Sequence, residues 1–127
     1  MKHIATLLGA TLLLAGCSES GVNIRGNVAV GGSGKTLVVE RVTPTGSRFV
    51  DSLRIGRQGN FSLFVKQQAD VPEFYTLRIA GGGSVPLLAE VPEKIVVRIA
   101  DSTASEYTVT GSEGSVLVQE ANAILAQ

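Results

Sequence analysis

The sequence predicts an all-β fold, an antiparallel β-sandwich or small barrel of about eight strands, followed by a C-terminal helix. Three observations predict it. From Val22 onward, apolar and polar residues alternate in short segments, the period of strands with one buried face. Gly, Pro, Asn and Ser cluster between these segments at strand-and-turn intervals. Past Gly111 the apolar spacing changes from two to that of a helix.

Each element follows from its own residues. Over 22–30, Val22, Ile24, Val28 and Val30 alternate with Asn23, Arg25, Asn27 and Ala29. Gly31-Gly32-Ser33-Gly34 turns the chain, and the Val- and Leu-rich stretch 36–43 is a second strand. Pro44-Thr45-Gly46-Ser47 is the next turn, and 48–55 a third strand. After a turn over 56–60, Phe61, Leu63 and Val65 share one face of a fourth strand. A loop over 67–72 leads to a fifth at 74–80, ended by Gly81-Gly82-Gly83. The sixth, 85–90, carries Pro86 and so belongs at a sheet edge. Ile95, Val97 and Ile99 mark a seventh, and Tyr107 and Val109 an eighth. The core is expected from Val, Ile, Leu and the four Phe. From Gly114, Leu117, Ala121, Ile124 and Leu125 recur at helical spacing, with Ser112 or Ser115 as the cap. That apolar face wants a neighbour to cover it.

The N-terminus is of another kind. Met1-Lys2-His3 leads into an apolar stretch over 4–16, diluted by Thr6 and Thr11. A membrane-spanning helix needs roughly 20 apolar residues, so this stretch reads as a secretory signal peptide, 1–16, cut after Gly16. Leu14-Ala15-Gly16-Cys17 closely resembles the lipobox of bacterial lipoproteins. The resemblance implies a diacylglyceryl group on the Cys17 sulfur and acylation of its new amino terminus. Several chains matter, since one acyl chain anchors only marginally. Ser18 follows, not Asp, which by the sorting rule of such proteins leans towards the outer membrane. Residues 17–21 then form a lipidated, short polar tether, 22–111 the sandwich domain and 112–127 the terminal helix. The covalent lipid is the only cofactor expected.

Composition excludes several chemistries for the processed chain. The full sequence has 11 Lys+Arg and 11 Asp+Glu, and removal of Lys2 with the signal leaves a near-neutral balance of alternating sign, so no nucleic-acid partner or polybasic membrane surface is indicated. His3 is the only histidine and Cys17 the only cysteine. Cleavage removes the first and lipid blocks the second. Nucleophilic triads, thiol chemistry and His- or Cys-based zinc sites are thereby excluded, and no disulfide is available. The chain by itself is not expected to be an enzyme.

Five groups of residues are candidate sites. Ala29-Val30-Gly31-Gly32-Ser33-Gly34-Lys35-Thr36 matches a relaxed phosphate-loop pattern, and the strand ending at Asp101 resembles the one that accompanies it. Phosphate binding requires the loop to open a helix. The residues after Thr36 are β-branched, so the stretch reads as a hairpin turn and no nucleotide is expected. Asp51 shares the parity of Phe49, Leu53 and Ile55. A carboxylate on an apolar face needs partners, either structural ones (amides or an arginine) or a metal or polar ligand; the structural reading is preferred. Gly59 is expected at positive φ ahead of a buried Phe61. Tyr75 and Tyr107 are either binding aromatics or half-buried packing. Glu90 and Glu93 flank a Val-Pro turn and do not identify a glycosidase pair.

Together, Asp51-Ser52, Gly59-Asn60-Phe61-Ser62-Leu63, Phe74-Tyr75-Thr76-Leu77 and Val109-Thr110-Gly111-Ser112 before a helix resemble a known domain. It is the uncharacterised β-rich domain at the N-terminus of thioredoxin-like and peroxiredoxin-like envelope lipoproteins. In that family a Cys-x-x-Cys domain follows the helix; here the sequence ends first, so no catalytic residue carries over. Three functions are expected from this. The first is a non-catalytic, membrane-anchored envelope domain that binds or positions a partner. The second is the N-terminal piece of a thiol-disulfide oxidoreductase lipoprotein. The third is a small adhesive or carbohydrate-binding sandwich at the cell surface.

Overall fold

The computed structural model describes residues 19–126. The signal segment, Gly16 and Cys17 lie outside the described residues. The strands are β1 (Gly21–Val30), β2 (Thr36–Thr43), β3 (Gly46–Arg54), β4 (Asn60–Lys66), β5 (Glu73–Ile79), β6 (Ser84–Ala89), β7 (Lys94–Asp101) and β8 (Tyr107–Thr110), followed by helix α1 (Glu113–Leu125). They form two four-stranded sheets, β4-β1-β7-β8 and β3-β2-β5-β6. Neither sheet closes into a barrel, so the fold is a sandwich. Every pairing is antiparallel except β1 with β7, which run parallel in register Asn23 to Lys94 and Ile24 to Ile95.

The alternation in the sequence becomes the core. Val22, Ile24 and Val28 of β1, Leu37 and Val39 of β2, and Ile95, Val97 and Ile99 of β7 point inward and are buried. Phe61 is 5% exposed and lies across Gly26, its partner on β1. A Cβ at Gly26 would meet that ring and the Val97 carbonyl, so the glycine lets the aromatic cover bare backbone. Gly59 has φ +85°, and its carbonyl accepts the Val28 amide at 2.9 Å, which docks the β3–β4 turn on β1.

Two expectations about the core fail. Phe61 alone of the four Phe is buried; Phe49, Phe64 and Phe74 are 66%, 41% and 50% exposed. Asp51 is exposed too, and its Oδ1 accepts only the neighbouring Ser52 amide, at 2.8 Å. For Phe49 the cause is a β-bulge: Asp51 pairs with Val39 but Phe49 with Glu40, so Val50 is an extra residue in β3 and packs against the core. Asp51 keeps its parity with Leu53, opposite the buried Val39. It is exposed because β3 is the outermost strand of its sheet and has a neighbour on one side only.

Helix α1 departs from expectation in a different way. Ser112 is its N-cap, with extended backbone and a hydroxyl that accepts the Ser115 amide at 3.2 Å. The face turned to the sandwich is mixed: Ser112 and Ser115 are buried, Gln119 is half-buried, and Val116 packs against the core. Leu117, Ile124 and Leu125 face outward, 64%, 66% and 82% exposed. The helix is held by edge strands, whose unpaired backbone groups need polar partners. Ser115 serves Leu88 of β6, donating to its carbonyl and accepting its amide, both at 3.0 Å. Gln119 serves β8, taking the Val109 amide at 3.2 Å and donating to the Tyr107 carbonyl at 2.9 Å. One helix thus covers an edge of each sheet.

Candidate functional site

The polar residues gather at the end of the sandwich where β1 begins. There β2 brings Arg41 inward, opposite the buried Tyr75 of β5. The Tyr75 hydroxyl donates to Gln67 Oε1 at 2.8 Å and receives Arg41 Nη2 at 3.3 Å. Gln67, at the end of β4, donates through Nε2 to the carbonyls of Val71 at 2.9 Å and Ala89 at 2.8 Å. Every polar atom of its side chain is used, as its burial demands. Arg41 Nε lies 3.1 Å from Glu73 Oε2, an ion pair without hydrogen-bond alignment at that nitrogen, and the Arg41 guanidinium stands 5.5 Å from the centre of the Tyr75 ring.

This cluster also receives the incoming chain. Ser20 Oγ donates to the Gln67 carbonyl at 2.8 Å, and the Gln67 amide donates to the Ser20 carbonyl at 3.2 Å. Glu19 pairs with Lys66 at 3.5 Å in an exposed bridge, which contributes little. Gly21 is already the first residue of β1, so the tether expected over 17–21 is fastened from Ser20 onward.

The electrostatics are those of a structural cluster. Burial pushes the Tyr75 hydroxyl above its ordinary value, against the opposing effect of Arg41. The hydrogen bond that Arg41 donates to the Tyr75 oxygen raises the Arg41 pKa, against burial. Both groups keep their protons at neutral pH, so neither is poised as a nucleophile or base.

A groove of about 820 Å³ lies beside α1 and β8 and is lined by Arg98, Tyr107, Gln119 and Asn122 among others. The Tyr107 hydroxyl is buried there with no hydrogen bond among the described residues, and burial raises its pKa. Tyr75 is 1% exposed and Tyr107 half-buried. Neither is an exposed aromatic of the kind a sugar platform needs.

The remaining sequence candidates lie apart from this end or in turns. The glycine-rich loop opens strand β2, not a helix, and the Gly34 and Lys35 amides already donate to the carbonyls of Ile55 at 2.9 Å and Gly32 at 3.1 Å. Asp101 caps a turn: its carboxylate accepts the amide and hydroxyl of Thr103, which hold it below the usual carboxylate range. Glu93 accepts the Glu90 amide at 2.8 Å across the turn that contains a cis Val91–Pro92 bond. Among the described residues no three His, Cys, Asp or Glu side chains gather as metal ligands, and no helix is long and apolar enough to cross a membrane. Asp51, Gly59 and Phe61 lie on β3, the β3–β4 turn and β4; Asp51 is exposed there and pairs with no side chain among the described residues. The Gln67 cluster was missed because Gln67 and Arg41 sit in sequence beside ordinary surface residues; an inward-parity arginine on β2 was the one available signal. Neither known protein-family models nor curated proteins give a match to this chain.

Proposed function

We propose that this chain is a non-catalytic envelope domain, anchored by lipid on Cys17 and acting by binding or positioning a protein partner. The observation that carries the reading is the fastening of Ser20 to Gln67, directly downstream of the lipobox. Three residues from Cys17 to Ser20 span at most roughly 10 Å, so a lipid on that sulfur would hold a folded domain close to a bilayer. In this reading no nucleotide, nucleic acid or metal takes part, and the lipid is the sole prosthetic group. The sorting residue Ser18 favours the outer membrane.

Replacing Cys17 with Ala tests the anchor. Wild-type protein should sediment with membranes and the Cys17→Ala variant should be released into the soluble fraction. Continued membrane association of the variant would overturn the reading.

One observation favours a second reading, in which the domain belongs with a thioredoxin-like oxidoreductase. The outward stripe of Leu117, Ile124 and Leu125 is suited to packing against another domain. Reading the DNA past codon 127 tests it, since a Cys-x-x-Cys-encoding frame there would support it and its absence would remove it.

A further inference from the structure

The exposed aromatic residues are placed unevenly. Phe64 stands on the outer face of β4, two residues before its end at Lys66. Phe74 and Val42 pair across β5 and β2 on the outer face of the other sheet, each one residue from its strand end. Val71, 40% exposed, lies in the loop between β4 and β5. All four sit at the end where Ser20 enters, because Gln67 ties the end of β4 to Tyr75 and Ala89 at the matching end of the second sheet.

We infer that this end of the sandwich, ringed by Val42, Phe64, Val71 and Phe74, is a lipid-contacting surface on which the domain stands upright. The inference rests on the lipid-anchor reading above. Phe64 and Phe74 lie on opposite outer faces, so no lateral contact covers both; an end-on contact does. At about 3.4 Å per residue the ring lies within roughly 7 Å of the strand ends. Apolar side chains at a membrane interface reach about 5–10 Å into the headgroup and acyl boundary. Cys17, the first residue after the cleavage point, lies four residues before β1 begins at this end. The end is not basic: Asp70, Glu90 and Glu93 accompany Lys66 and Lys94. Apolar contact, not attraction to anionic lipid, supplies the interaction, which is therefore insensitive to salt.

The chain has no Trp, so a single introduced Trp reports its own surroundings. The test uses full-length, lipid-modified protein in phosphatidylcholine vesicles with plain or brominated acyl chains. Phe64→Trp and Phe74→Trp should each lose emission in brominated vesicles, equally at low and high salt. Val30→Trp, at the far end of β1, should not. If vesicles carry the protein on flotation but either ring position keeps its emission, the upright contact is wrong and the anchor stands. If the Val30 position is quenched as well, the posture is wrong. Protein that does not float overturns the anchor, and the contact with it.

Discussion

The Ser115 hydroxyl takes both backbone groups of Leu88, accepting its amide and donating to its carbonyl, each at 3.0 Å. Leu88 belongs to the edge strand β6, and nothing beyond it in the sheet offers a partner. Replacing Ser115 with Ala empties a fully buried hydroxyl position and leaves the Leu88 amide unpaired, while the Leu88 carbonyl keeps the Ser112 hydroxyl at 3.0 Å. The expected cost is about 1–3 kcal/mol, read as a lowered urea midpoint. Leu117→Ser and Leu125→Ser, on the opposite side of the helix, should stay within about 0.5 kcal/mol of wild type. A larger cost for the leucines than for Ser115 would show that the apolar side is the packed one.

Gln67 should be the more sensitive polar residue. Its side chain serves Tyr75, Val71 and Ala89 at once. Gln67→Leu keeps the bulk and deletes all three bonds, and should cost at least about 2 kcal/mol in denaturant unfolding. Tyr75→Phe removes one partner and should cost less, about 0.5–1.5 kcal/mol. An unchanged midpoint for Gln67→Leu would mean that the cluster does not hold the two sheets together.

Stability should fall at alkaline pH for a defined reason. Burial raises the pKa of Tyr75 and Tyr107 in the folded chain, so the native state holds these protons more tightly than the unfolded one. Their contribution is complete below the ordinary tyrosine value of about 10 and is lost as pH rises through the folded values. Phenolate absorbance should therefore appear late, together with loss of tertiary structure. Early titration of both tyrosines in a chain that stays folded would contradict their burial.

Asp51 and Gly59 should behave oppositely. Asp51 is exposed and touches only Ser52, so Asp51→Ala should stay within about 0.5 kcal/mol. Gly59 combines φ +85° with a Cβ position that runs into the Val28 carbonyl. Gly59→Ala should lower stability by about 1–3 kcal/mol, measured by thermal or chemical unfolding.

The eight strands and the helix were legible because each is a local pattern. Alternation at Val22, Ile24 and Val28, or at Phe61, Leu63 and Val65, needs only one strand to be visible, and Pro86 does mark the edge strand β6. What escaped depends on pairs of elements. The bulge at Val50 exists only relative to Val39 and Glu40 on β2, so parity alone placed Phe49 on a buried face, and the exposure of Asp51 depends on β3 being the outer strand of its sheet. The helix was read by hydrophobicity, but it meets sheet edges, where backbone groups reward Ser115 and Gln119 over Leu117. Phe64 shares parity with Ser62 and Lys66, and Phe74 with Thr76 and Arg78, so alternation points both outward; the expectation of four core Phe rests on composition and not on periodicity.

The parallel pairing of β1 with β7 has a consequence for the order of events in folding. β1 is the first strand made, yet it lies between β4 and β7, and Asn23 finds Lys94 across most of the chain. Contacts this distant in sequence are slow to form. On a chain synthesised N-terminus first, β1 must wait with an open side until β7 has emerged. Meanwhile its valines and isoleucine are available to the wrong neighbours. The most vulnerable moment of a protein built this way comes before the last strands arrive.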